Sequence, residues 1–394
     1  MKILIINNLY HPNAVGGAEK SVEVLAEGFM KEDLTPVIVS TADIDHAGIV
    51  NGVRIHYRKI PNLYWVKSAK EQSPLKKPLW HLIDSYNPFV PSMLAGIIEK
   101  ESPDVVHTNN LAGFSVAVWK AARRSGVPIV HTIRDHYLLC PRSVMYRNDR
   151  NCTRQCLDCR ILSFPRKMLS LYVDGVVGVS RFILQKHLNF GYFRKAKIKT
   201  AIYNAADMDA RSEIARTRNN TITFGCAGML VPIKGFEYLI ERFKKADLKD
   251  ARLHVYGKGL SAAYERRLIE RCRSDKIRFM GHRKPEEIYS NVDVMIIPSL
   301  ADDAFPRVLI ESYSHGVPVI ASNRGGAPEM IAENRTGFLF DPACKGDLEE
   351  KMRMFSDDRD KAGGFASYCL EAAGQFAREK IVKQYMGVYR AVMK

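Results

Sequence analysis

The chain has 394 residues, 46% of them apolar, and a formal net charge of +16, which is too long for one ordinary core and points to two domains of about 200 residues each. No apolar run approaches the roughly 18 residues of a membrane span, and the opening MKILII is interrupted by Asn7, Asn8 and His11 too early for a signal-peptide core, so a cytoplasmic protein is expected. The positive charge calls for an anionic partner, and no zinc-finger, RNP or helix-turn-helix signature marks that partner as nucleic acid.

Short apolar runs alternate with amphipathic stretches along the whole chain, the pattern of parallel sheets covered by helices. In the first half, strands are predicted over 2–7, 37–41, 105–108, 129–132, 175–179 and 198–202. Within 53–80, Arg54, Arg58, Lys59, Lys67, Lys70, Lys76 and Lys77 face the single acid Glu71, with Tyr57, Tyr64, Trp65 and Trp80 interleaved. Such a stretch is either a solvated loop or a basic, aromatic anchor for an anionic membrane surface. Cys140, Cys152, Cys156 and Cys159 crowd together, as free thiols or as the four ligands of a structural zinc. A polar passage over 204–220 reads as the linker. Strands follow over 221–227, 252–256, 277–280, 292–297 and 317–322, with helices over 235–244 and 264–274 and a basic amphipathic helix over about 375–394. The expected fold is therefore α/β, with two Rossmann-like doubly wound domains, 1–203 and 204–374, facing across a cleft. The C-terminal helix is a candidate to pack back on the first domain. Ligands of such sheets collect at the carboxyl ends of the strands.

The segment PSLADDAFPRVLIE, 298–311, reads as a strand end, a loop and a helix start. Pro306 suits the first helical position, leaving the N–H groups of Arg307 and Val308 directed out of the helix end, where a phosphate can sit. Asp303 in the loop and Glu311 one turn in supply carboxylates that accept hydrogen bonds from sugar hydroxyls. Alone, either carboxylate reads equally as an ordinary turn or surface residue.

Together with these two acids, which have seven residues between them, the chain resembles the large glycosyltransferase family 4 over essentially its whole length. The family's first glycine-rich loop is matched by YHPNAVGGAE, 10–19, with Gly16 and Gly17 letting backbone approach a phosphate. Its donor segment is matched by GMLVPIKG, 228–235, with Lys234 in place. Asp303 stands where the family more often has Glu, Met229 where it has Arg, and Arg134 where it has a cleft histidine. The resemblance implies the GT-B fold and a retaining transfer of sugar from a nucleoside diphosphate sugar, with no cofactor or metal required for catalysis. It assigns Glu311 to the ribose, Asp303 to the transferred sugar, and Lys234 with the helix start to the diphosphate. Phe305, Arg307 and Val308 complete the donor pocket. Arg134 is expected to act with Asp303 in catalysis, offering the countercharge that Met229 cannot, or else simply to pair with Asp135. His107, Asp135 and His136 are acceptor-side candidates. The acceptor is expected to be a polysaccharide or lipid-linked glycan at the inner face of the cytoplasmic membrane. The competing reading is a GT-B-like binding or scaffold subunit with impaired catalysis.

Overall fold

The computed structural model describes residues 1–14, 16–206, 221–272, 274–358 and 360–394. Most of the expected linker, 207–220, therefore lies outside the described residues.

The chain divides into two compact units. The first contains β1 (Lys2–Ile6), α1 (Gly17–Lys31), β2 (Thr35–Thr41), β3 (His46–Val50), β4 (Val53–Arg58), α2 (Lys77–Ser85), α3 (Val90–Glu101), β5 (Val105–Thr108), α4 (Ala117–Arg124) and β6 (Ile129–Ile133). After a short antiparallel hairpin, β7 (Tyr146–Arg147) with β8 (Arg150–Asn151), come α5 (Leu157–Leu169), β9 (Gly175–Gly178), α6 (Arg181–Asn189) and β10 (Ile198–Ala201). The eight-stranded sheet runs β10-β9-β6-β5-β1-β2-β4-β3, parallel except for the edge pair β3–β4. The central strands β5, β6 and β9 are buried at every position because both faces are covered.

The stretch read as a basic loop or membrane anchor thus begins as sheet. Val53, Ile55 and Tyr57 are buried, while Arg54 pairs with Glu101 and Arg58 with Asp45. The alternation of apolar and basic residues over 53–58 is the period of a strand with one covered face.

The second unit carries β11 (Ile222–Ala227), α7 (Phe236–Ala246), β12 (Ala251–Tyr256), α8 (Ala262–Cys272), β13 (Ile277–Gly281), α9 (Pro285–Tyr289), β14 (Val294–Ile297), α10 (Arg307–Ser314), β15 (Val319–Ser322), β16 (Gly337–Phe340), α11 (Asp347–Ser356) and α12 (Asp360–Ala373). Its six strands are all parallel, in the order β13-β12-β11-β14-β15-β16. The hairpin β7–β8 also belongs here, although sequence position put it in the first domain. Asn151 holds it by side-chain bonds to backbone groups of Leu300 and Asp302.

The last helix, α13 (Arg378–Met393), belongs to the first unit. It starts later than the sequence pattern implied. Ala206 forms a parallel bridge with Ala377 and donates to the Phe376 carbonyl at 2.8 Å, which keeps that junction extended. Ile381, Val382, Tyr385, Tyr389 and Val392 then join the core beneath β1 and α1. Among the described residues no helix is long and apolar enough to cross a membrane.

Candidate functional site

In the second unit the residues picked out from the sequence converge at the carboxyl ends of β11 and β14. Lys234 closes a turn of 3-10 helix, Pro232–Lys234, and its ammonium forms an ion pair with Asp303. The turn is possible because Gly235 adopts φ 75°, and a Cβ there would lie 1.9 Å from the Pro298 carbonyl oxygen. The loop after β14 is thereby pressed directly against the lysine turn.

Asp303 is fixed from three directions. Its Oδ1 accepts the Phe305 N–H at 3.2 Å, its Oδ2 takes the lysine, and its carbonyl accepts the Gly326 N–H at 2.8 Å. Gly325, at φ 63°, passes so close that a Cβ would sit 2.0 Å from the Asp303 carbonyl oxygen. Phe305 is buried and meets Phe376 edge-on at 6.0 Å between ring centroids.

The helix α10 begins at Arg307, with Pro306 as the extended cap residue rather than the first helical one. Glu311 receives Arg307 at 3.3 Å and the Tyr289 hydroxyl at 3.4 Å, and that hydroxyl also reaches the Val308 carbonyl at 3.2 Å. Burial, then the Glu311 charge, raise the Tyr289 pKa well above its ordinary value, so the phenol stays a proton donor to the carboxylate. One turn of helix therefore displays a cation, a carboxylate and a helix start, beside a second cation–carboxylate pair. That set offers positive charge and N–H groups to phosphates and acceptor oxygens to hydroxyls. Met229, half-buried after β11, adds no charge.

The first unit holds the other candidates. Gly16 and Gly17 open α1, where the Gly16 N–H donates to the Glu19 carboxylate at 2.8 Å. Arg134, just past β6, donates from its guanidinium to Asn109 at 2.9 Å and Asn204 at 2.5 Å. Asp135 accepts the Tyr137 N–H at 2.7 Å, and burial pushes its pKa up to about 6. His136 is buried, stacked parallel to His187 at 6.4 Å. His107 is fully buried, one ring nitrogen 2.7 Å from the Thr132 hydroxyl and the other 2.7 Å from the Tyr389 hydroxyl. With both nitrogens engaged it ties α13 to the sheet.

Cys140, Cys152, Cys156 and Cys159 are not joined in disulfides. Cys159 hydrogen-bonds with the thiols of Cys156 and Cys140, and burial raises its pKa. Among the described residues no group of three or more His, Cys, Asp or Glu is placed to hold a metal ion. Structural zinc there remains a proposal for metal analysis of protein purified without chelator.

Two residues that hold the site were not picked out from the sequence. Tyr289 is one. Asn151 is the other, accepting the Asp302 N–H at 2.9 Å and donating to the Leu300 carbonyl at 3.1 Å. No short motif marks a residue that meets its partners about 150 positions away.

Comparison with known proteins bears on the family and the fold. Residues 15–210 match the family model Glycosyltransferase Family 4, and residues 207–369 match Glycosyl transferases group 1. A 42.6 kDa protein in a cps region of Klebsiella pneumoniae is 32% identical, across 84% of this chain and 87% of that one. A D-inositol 3-phosphate glycosyltransferase of Corynebacterium urealyticum is 31% identical over 30% of this chain and 28% of its own. Among solved structures, a sucrose-phosphate synthase from Thermosynechococcus elongatus superposes with a TM-score of 0.77 at 18% identity, covering 99% of this chain and 98% of that one. The Anabaena protein HepE, in complex with UDP and glucose, gives 0.73 at 19% identity, covering 99% and 100%.

Proposed function

Since the chain belongs to glycosyltransferase family 4 and has its fold of two Rossmann-like domains, we propose that this nucleotide-sugar-dependent glycosyltransferase works with retention of anomeric configuration on a polysaccharide or lipid-linked glycan at the cytoplasmic membrane face. The observation that carries the donor assignment is the pairing of Lys234 with Asp303 next to the α10 start.

In this reading Glu311, steadied by Arg307 and Tyr289, accepts hydrogen bonds from the ribose hydroxyls. Asp303 accepts them from the transferred sugar, with Phe305 walling the pocket. Lys234 and the N–H groups of Arg307 and Val308 take the diphosphate, whose negative charge grows as the glycosidic bond to it breaks. Stabilising that charge and fixing the donor are the main catalytic terms, and the departing phosphate accepts the acceptor's proton. Arg134 is proposed as the catalytic cation of the first unit.

HepE's bound UDP and glucose make uridine diphosphate sugars the first donors to test. A thermal-shift screen with nucleotide sugars should raise the melting temperature, since a ligand at 100 times its Kd adds about 2.7 kcal/mol. Product formation from the stabilising donor separates an enzyme from a binding or scaffold subunit. No shift with any nucleotide sugar would sink the donor assignment.

A further inference from the structure

The helix α5 is amphipathic the wrong way round for a soluble surface. Leu157, Ile161, Phe164 and Met168 follow one another at spacings of four, three and four, so they share one face. That face is outside: Leu157 is 68% exposed, Ile161 60% and Phe164 62%. The inner face carries Ser163 and Arg166, both buried. Arg166 donates to Asp84 on α2 at 3.2 Å and to the Tyr137 carbonyl, while the Tyr137 hydroxyl reaches Asp84 at 2.7 Å. The polar side of α5 is consumed in locking it to α2, and the apolar side is left over.

The surface continues beyond α5. On α2, Leu79 and Leu82 are exposed, and so are Leu75 before it and Phe89 after it. Between the two helices lies a groove of about 630 Å³, lined by Leu63, Leu82, Ile83, Phe89, Ile161 and Pro165 among others. Lysines 67, 70, 76 and 77 and Glu71 are exposed in the segment that leads into α2, and Arg160 and Asp158 are exposed on α5. Lys67 lies over the Trp65 ring at 5.3 Å, and Tyr64 stacks on Trp80 at 5.5 Å. Contiguous apolar surface of this kind needs a cover.

We infer that the α2–α5 face seats the protein on an anionic lipid bilayer, with Leu79, Leu82, Ile161 and Phe164 entering the acyl boundary and these basic residues meeting the headgroups. The inference deepens the proposed work at a membrane face and rests on that reading. Charge selects the occupant. A second copy would set the same basic residues against themselves across a two-fold axis, whereas an anionic bilayer neutralises them. Aromatic rings beside the lysines suit the headgroup level. The docking surface differs from the basic stretch taken alone, because its apolar half comes from α5.

Sedimentation of the full chain with vesicles tests this directly. Wild type should bind vesicles of phosphatidylcholine and phosphatidylglycerol in equal parts and not phosphatidylcholine alone. Ile161→Asp with Phe164→Asp should weaken binding about a hundredfold, since each exposed apolar side chain contributes about tenfold when it enters lipid. Lys76→Gln with Lys77→Gln should weaken it about fivefold per charge. Because these residues are exposed, the variants should keep the nucleotide-sugar thermal shift, so failed lipid binding is separable from a failed donor assignment. Unchanged vesicle binding in the Asp variant would overturn the inference. So would a wild-type dimer that the same variant dissolves, or binding indifferent to lipid charge.

Discussion

The side chain of Asn151 grips the backbone on either side of Ala301, accepting from Asp302 N at 2.9 Å and donating to the Leu300 carbonyl at 3.1 Å. It thereby staples the hairpin β7–β8 to the loop that presents Asp303. Replacing it by Ala removes both bonds at a cost of about 1–3 kcal/mol. We expect Asn151→Ala to lower kcat about tenfold and the melting temperature by several degrees. A variant that loses stability but keeps kcat would assign Asn151 to folding alone.

Asp303 neutralises Lys234 before any ligand arrives. Asp303→Asn leaves the ammonium facing the site without its carboxylate, so a nucleoside diphosphate should bind as well or up to about tenfold tighter. Turnover should nevertheless fall at least tenfold, through the loss of the acceptor for the transferred sugar. Calorimetry with the diphosphate, set beside initial rates, reads the two effects separately. Weaker diphosphate binding with normal turnover would contradict both roles.

Glu311→Ala removes the carboxylate assigned to the ribose and should weaken donor binding by about 1.5–3 kcal/mol. Tyr289→Phe should cost less, because Arg307 still holds Glu311 at 3.3 Å. Equal affinities for wild type and Glu311→Ala would dismiss the ribose assignment.

Three buried histidines make the first unit acid-sensitive. Burial holds His107 and His187 down to about 3 and keeps His131 well below its ordinary value of 6.5. Their unfolded forms take up protons near pH 6.5 and the folded forms do not. The stability they contribute is complete above that pH and is lost as pH falls from 6.5 toward 3. Each adds a slope of about 1.4 kcal/mol per pH unit in that window. Urea midpoints should drop steeply between pH 7.5 and 5, and less steeply in His187→Asn. A flat profile would mean that these histidines ionise in the folded protein.

The meeting of Lys234 with the 298–311 segment was legible in the sequence from local signals: Asp303 and Glu311 share one loop and helix start, and Lys234 precedes a glycine whose conformation only glycine tolerates. The alternating strands and helices were legible for the same local reason. What stayed hidden depends on distant partners. The bond from His107 to Tyr389 could not be read locally, because its partner arrives 282 positions later. The period of α5 reveals a stripe but not which face is inside; that is decided by Asp84, 82 residues earlier, which draws Arg166 inward. The strand β4 was masked by its basic residues, which find Glu101 and Asp45 rather than water alone.

Placing α13 in the first unit has a consequence for synthesis. The rings of Tyr385 and Tyr389 and the side chains of Val382 and Val392 fill the core beneath β1, yet they are translated only after the whole second unit. Until then the first unit lacks a wall, and His107 and Thr132 lack their hydroxyl partners. Ordered folding from the N-terminus, usual for tandem domains, is therefore barred here: the second unit is translated whole before the first can close. A fragment ending at 205 should aggregate, and supplying 378–394 through a short linker should recover a soluble first unit.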